Sequence, residues 1–92
     1  PAGTPIYAAD DGIVEFVKLG RTGYGRQLMI DHGNGVRTRY AHASQIIMKP
    51  GDPVKKGDVI AYVGSTGRST GPHLHFEIFI GQRRANPLQY IR

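Results

Sequence analysis

The segment Gly71-Pro72-His73-Leu74-His75-Phe76-Glu77-Ile78 constrains this chain more than any other. Proline fixes its own φ and drives the residue before it toward extended backbone, and polar and apolar residues alternate from there to Ile78. Successive side chains of a strand point to opposite faces. His73, His75 and Glu77 therefore share one face, and Leu74, Phe76, Ile78 and Ile80 the other. The second set is wholly apolar and is expected to meet a core. The first presents two imidazoles at neighbouring same-face positions, roughly 7 Å apart along a strand, close enough to share a metal ion or a metal-bound water. The competing reading, two histidines on an ordinary solvent-facing strand, is weakened by the small polar run from Ser65 to Thr70, which reads as a loop lining a cleft. With no cysteine in the chain, a metal site here has to use His and carboxylate, a donor set more typical of catalytic than of structural zinc.

Ninety-two residues make a single domain, small enough to bury only about two-thirds of its unfolded surface. Thirteen Gly and six Pro, with no sustained helical periodicity, predict many short strands joined by turns, hence an all-β fold. The absence of cysteine excludes disulfide stapling and leaves the redox compartment open. No stretch reaches the roughly 18 apolar residues of a membrane-spanning helix. The chain opens Pro1-Ala2-Gly3-Thr4-Pro5 without Met, and it is expected to be a portion of something longer. Net charge is +5, with the basic residues spread along the chain, which favours an anionic surface as neighbour. Nucleic acid is not the expected partner, because the aromatic residues are not interleaved with the basic ones in sequence as a stacking platform requires.

Along the chain, Pro1 to Pro5 reads as an extended entry, followed by Ile6-Tyr7-Ala8 and the turn Asp10-Asp11-Gly12. A strand is predicted from Gly12 to Lys18, apolar on both faces and therefore central in its sheet. Leu19 to Arg26 holds three glycines and reads as a loop with Tyr24 at its tip, either touching a ligand or exposed. Asn34-Gly35 is the strongest short hairpin signal. It predicts an antiparallel pair, Gln27 to Asp31 with Val36 to His42, that leaves His32 in the turn and outside the site. On the second strand Val36, Thr38, Tyr40 and His42 are expected on one face, with His42 at the strand's end beside a cleft. Val59 to Gly64 reads as a further strand, and Gly81-Gln82 as the turn into Arg83-Arg84-Ala85. Lys55-Lys56-Gly57-Asp58-Val59-Ile60 is also similar to lipoyl and biotinyl carrier domains. Those need a lysine at an exposed hairpin tip, and the tip here is His-Gly-Asn-Gly.

Gly3-Thr4-Pro5-Ile6-Tyr7-Ala8, Tyr40-Ala41-His42, Val54-Lys55-Lys56-Gly57-Asp58 and Gly64 to Ile78 occur in an order that resembles the lysostaphin-type (LytM-like) zinc metallopeptidases across nearly the whole chain. The run Thr66 to Glu77 is the most specific part of the likeness. The resemblance implies an antiparallel β-sheet core with loops forming a narrow substrate groove, and cleavage of peptide bonds in peptidoglycan cross-links or cross-bridges. It implies that His75 is a zinc ligand and that His42 and His73 are catalytic histidines that do not bind the metal. It further implies a cell-envelope location, periplasmic or extracellular, with peptidoglycan peptides and the anionic wall as partners. Alternation alone does not distinguish His73 from His75. Glu77 has two readings: it orients an imidazole from behind, or it forms an edge salt bridge with an arginine.

The family's first motif, a His and an Asp that supply the other two zinc ligands, lies just before the segment at which this chain begins, and no Asp of the chain stands in a matching motif. Residues 1–92 alone are therefore expected to hold zinc weakly or not at all and to be inactive in isolation. The alternative function is a non-catalytic LytM-like module that binds the wall or regulates an amidase.

Overall fold

The computed structural model describes residues 3–20, 24–64, 75–81 and 83–85, with 75 and 83–85 described by their backbone. Eight strands form one antiparallel sheet: β1 (Pro5–Tyr7), β2 (Gly12–Leu19), β3 (Arg26–Gly33), β4 (Val36–Ile46), β5 (Pro53–Val54), β6 (Val59–Val63), β7 (His75–Ile80) and β8 (Arg83–Ala85). Their order is β1-β6-β4-β3-β2-β5, and β7 pairs with both β4 and β8. Among the described residues there is no helix, as the glycine-rich, non-helical periodicity predicts.

The turn Asn34-Gly35 joins β3 to β4 with both residues at positive φ, 54° and 79°. That is the backbone of a type I′ turn, whose twist matches the right-handed twist of the strands it joins. His32 and Gly33 belong to β3, so the hairpin is longer and its turn tighter than the sequence suggests. β4 is the spine of the sheet. It runs on past His42 to Ile46, with β3 along one edge and, along the other, β7 as far as Ala41 and β6 from Ala43 onward.

The expectation that β2 is central fails. It lies between β3 and the two-residue β5, and Ile13 and Leu19 are 54% and 66% exposed. A bulge explains why its apolar face misled. Val14 pairs with Ile30 and Phe16 with Met29, leaving Glu15 unmatched, and an extra residue in one strand shifts the alternation by one. Val14 and Val17 consequently meet the core, while Phe16 lies in the opposite row with Met29. Gly12, read as a turn glycine, begins β2 where a Cβ would lie 2.5 Å from the Asp31 carbonyl oxygen and 2.8 Å from Ile30 Cγ2. It is required for close approach to β3.

The core gathers Ile6, Val14, Leu28, Ile30, Tyr40, Ala43, Val54, Ile60 and Val63 on one side of the sheet, with Phe76 packed against it. Tyr40 and Phe76 rings stand 5.2 Å apart at 57°, a tilted aromatic pair. The apolar face expected for the His-x-His strand is therefore the core face, and position 75 falls by alternation on the other.

Candidate functional site

His42 occupies one of the irregular points of the spine. Its φ is 61°, a left-handed conformation uncommon for a residue with a side chain. Arg26 pairs with Ala43 and Leu28 with Tyr40, so Gln27 faces two residues, Ala41 and His42. Tyr40 and Ala43 both belong to the core although they are three apart, so the alternation slips by one residue between them. The slip carries Ala41 and His42 together onto the face away from the core. This corrects two expectations: His42 does not share a face with Val36, Thr38 and Tyr40, and it sits within a strand, not at its end. The same slip brings His42 onto the face of position 75, whose backbone pairs with Ala41. His42 is 7% exposed, and its backbone is pinned from both sides: its N–H donates to the Tyr24 carbonyl at 2.9 Å, and its carbonyl accepts from Gly64 N–H at 3.1 Å. His73 lies outside the described residues, and for His75 the structure gives the backbone register.

Glu77 and Arg39 stand directly opposite one another on β7 and β4, on that same face. Glu77 is 3% exposed and its carboxylate lies 3.5 Å from Arg39. Tyr24 donates its hydroxyl to Glu77 at 3.4 Å, and the Arg39 guanidinium lies 4.4 Å from the Tyr24 ring centroid and 5.3 Å from that of Phe79. The arginine alternative for Glu77 is thus realised, but in the middle of the sheet, with Glu77 buried and Arg39 partly exposed. Tyr24 is half-buried on Arg39, not exposed on its loop. Arg39 was not singled out in the sequence; the signal that marks it is that it lies three residues before His42 and pairs across the sheet with Glu77, two residues from His75.

His32 is committed elsewhere. Its Nδ1 is 2.7 Å from the Asp11 carbonyl, which only accepts, so Nδ1 carries the proton. Its Nε2 is 2.6 Å from Thr38 Oγ1, which in turn is 2.9 Å from the Tyr40 hydroxyl, and that oxygen accepts from Ala9 N–H at 2.9 Å. A cavity of about 1090 Å³ opens on this core side, lined by Tyr7, Val36, Phe76, Ile78 and Ile80 among others. It includes neither His42 nor Glu77. The chemistry-bearing positions are gathered by the register of the strands, on the opposite face.

The profile of peptidase family M23 matches residues 1–87. The chain belongs to peptidase family M23. This M23 chain is 51% identical over 88 residues to the DD-carboxypeptidase/endopeptidase Mpg of Neisseria meningitidis, a match spanning 96% of the chain and 20% of Mpg. It is 42% identical over 89 residues to the peptidoglycan DD-endopeptidase ShyA of Vibrio cholerae, spanning 97% of the chain and 20% of ShyA. The catalytic domain of lysostaphin from Staphylococcus simulans superposes with a TM-score of 0.89 at 34% identity, covering 98% of this chain and 71% of that one. A zinc-containing peptidase from Vibrio cholerae superposes with a TM-score of 0.88 at 44% identity, covering 92% and 26%. The lysostaphin-type resemblance and the antiparallel all-β fold both stand. The chain spans about a fifth of the length of Mpg and of ShyA.

A zinc ion is what the M23 family leads one to look for. Among the described residues no three His, Asp or Glu side chains converge as a metal cluster. The described part of the M23 fold offers one candidate ligand position, 75, and no complete set.

Proposed function

We propose that this chain carries part of the active site of a zinc-dependent endopeptidase that cleaves peptide bonds in bacterial peptidoglycan, in cross-links or cross-bridges, at the cell envelope or outside the cell. The observation that carries the reading is the left-handed bulge at His42, which turns a buried imidazole onto the sheet face of position 75. Backbone strain of this kind persists where the surroundings over-determine it and gathers at functional sites. Membership of a peptidase family and the names of Mpg and ShyA support the substrate class.

In this reading His75 is a metal ligand, with the remaining ligands supplied from outside the described residues. Bound zinc would polarise the scissile carbonyl and lower the pKa of a water. His42 and His73 would take a proton from the attacking water and donate a hydrogen bond to the developing oxyanion, roles that an imidazole can fill. The alternative reading is a wall-binding or amidase-regulating module without catalysis.

The test measures zinc per protein beside turnover of a cross-linked muropeptide, in the full protein. His75→Ala is expected to lose metal and activity together. His42→Ala and His73→Ala should retain zinc and lose about 10² to 10⁴ in rate, the usual worth of a general acid or base. Zinc lost in His73→Ala but kept in His75→Ala would reverse those two roles, and full activity in His42→Ala would return His42 to a structural role. A full protein that sediments with sacculi but leaves cross-links intact with zinc present would establish the second reading.

A further inference from the structure

We infer that Arg39 is a positioning residue: with Glu77 and Tyr24 it forms a clamp that fixes the main chain at His42. Each link is a contact of the fold. Glu77 is held at 3.5 Å from Arg39, Arg39 lies against the Tyr24 ring at 4.4 Å, and the Tyr24 carbonyl receives the His42 N–H at 2.9 Å. Tyr24 precedes β3 and is followed by Gly25 at a φ of 64°. What fastens its ring therefore also fixes where its carbonyl meets β4. His42, at a φ of 61°, needs such fixing, since an isolated non-glycine residue costs about 1 to 2 kcal/mol in the left-handed region.

The composition of the clamp argues for a task beyond stability. A buried ion pair is often no more stabilising than apolar side chains of the same volume. This one is long, and Arg39 Nε is buried without a hydrogen-bond acceptor among the described residues. The guanidinium is aligned chiefly by the Tyr24 and Phe79 rings, an arrangement that Arg supports and Lys does not reproduce. The cluster adjoins the candidate site, with Glu77 two residues from His75 and Arg39 two from Ala41. Its role in catalysis rests on the function proposed above, but its hold on His42 does not.

The experiment therefore has two independent readouts in the full protein. Replacing the pair with apolar residues, Arg39→Met with Glu77→Leu, avoids leaving one buried charge alone and is expected to preserve the melting temperature. By amide exchange in ¹⁵N spectra, the His42 N–H should lose at least about tenfold in protection, which corresponds to 1.4 kcal/mol. Tyr24→Ala should do the same, and combining the changes should add little, whereas Tyr24→Phe, which keeps the ring, should retain the protection. With a muropeptide substrate, kcat is expected to fall roughly 10²-fold, the effect of a small misplacement, with KM within about twofold and zinc content unchanged. Unaltered His42 protection in both the apolar-pair variant and Tyr24→Ala overturns the clamp even if the enzyme proves active. Loss of zinc together with kcat also overturns it, because the pair would then act through a metal ligand. A wild-type protein that cleaves nothing refutes the peptidase reading alone, and His42 protection still decides the clamp.

Discussion

Tyr40 links the core to the polar network beneath the β3–β4 hairpin. Its ring packs on Phe76 in the core, while its hydroxyl accepts from Ala9 N–H and meets Thr38. Burial pushes its pKa above the usual 10.0, and the hydrogen bonds to Thr38 and Ala9 pull the other way without prevailing. Well below pH 10 the phenol is protonated in both states and contributes no pH dependence. Above that, the unfolded chain binds fewer protons than the folded one, so stability falls as pH rises toward the folded value. Tyr40→Phe should be less stable at neutral pH by roughly 1 to 3 kcal/mol, since Ala9 N–H loses its acceptor, and its stability should decline less steeply above pH 10. Urea unfolding from about pH 8 to about pH 11 checks both; equal alkaline slopes in the two proteins would show that Tyr40 does not titrate late. At this scale the sequence was legible wherever alternation ran unbroken. Phe76, Glu77 and Ile78 take the faces read for them. His42 did not, because nothing in Tyr40-Ala41-His42-Ala43 announces a bulge, and the left-handed backbone comes from partners remote in sequence, Tyr24 and Gly64.

At the scale of elements, β4 and its partners decide the geometry. The hairpin was legible because Asn-Gly supplies its own turn. The central role given to β2 was not, because burial there depends on which strand lies alongside, and β5 covers only Gly12 and Ile13. The switch of β4 from β7 to β6 likewise leaves no local trace, but Gly64 records it. A Cβ there would come within 2.5 Å of Ser44 N and 2.7 Å of its Cα, backbone that cannot swing aside like the end of a side chain. Gly64→Ala should push β6 away from β4, strain the Gly64 N–H to His42 carbonyl bond and destabilise the fold by about 1 to 3 kcal/mol, the range for overpacking. In the peptidase reading it should also lower kcat more than Gly51→Ala, whose added Cβ meets nothing within 4 Å although φ is +91°. Thermal unfolding beside turnover separates the two; equal kcat in both variants would mean that the approach of Gly64 to Ser44 matters to the fold and not to the site.

For the whole molecule, the net charge of +5 has to be divided between the cations the fold uses and those it leaves to solvent. Arg39 is paired with Glu77, and Arg37 with Glu15 at 3.4 Å; the rings of Tyr24 and Phe79 are engaged by these same arginines. Basic and aromatic side chains do meet in space, then, but on one another. Among the described residues Lys18, Lys49, Lys55 and Lys56 are the exposed lysines, and three of them lie on the turns flanking β5. If the basic surface holds the protein near an anionic wall, these lysines are among the described groups available for it, through attractions that reach about 10 Å at 0.1 M salt and about 3 Å at 1 M. Sedimentation with purified sacculi should weaken steadily over that range. Changing Lys49, Lys55 and Lys56 to Glu should lower the bound fraction at low salt and flatten its salt dependence, while turnover of a small soluble muropeptide, which does not depend on holding the wall, stays within about twofold of wild type. Binding to sacculi that is insensitive to salt, or unchanged in the triple variant, would assign attachment to the groove or to another part of the protein and leave the charge as a determinant of solubility.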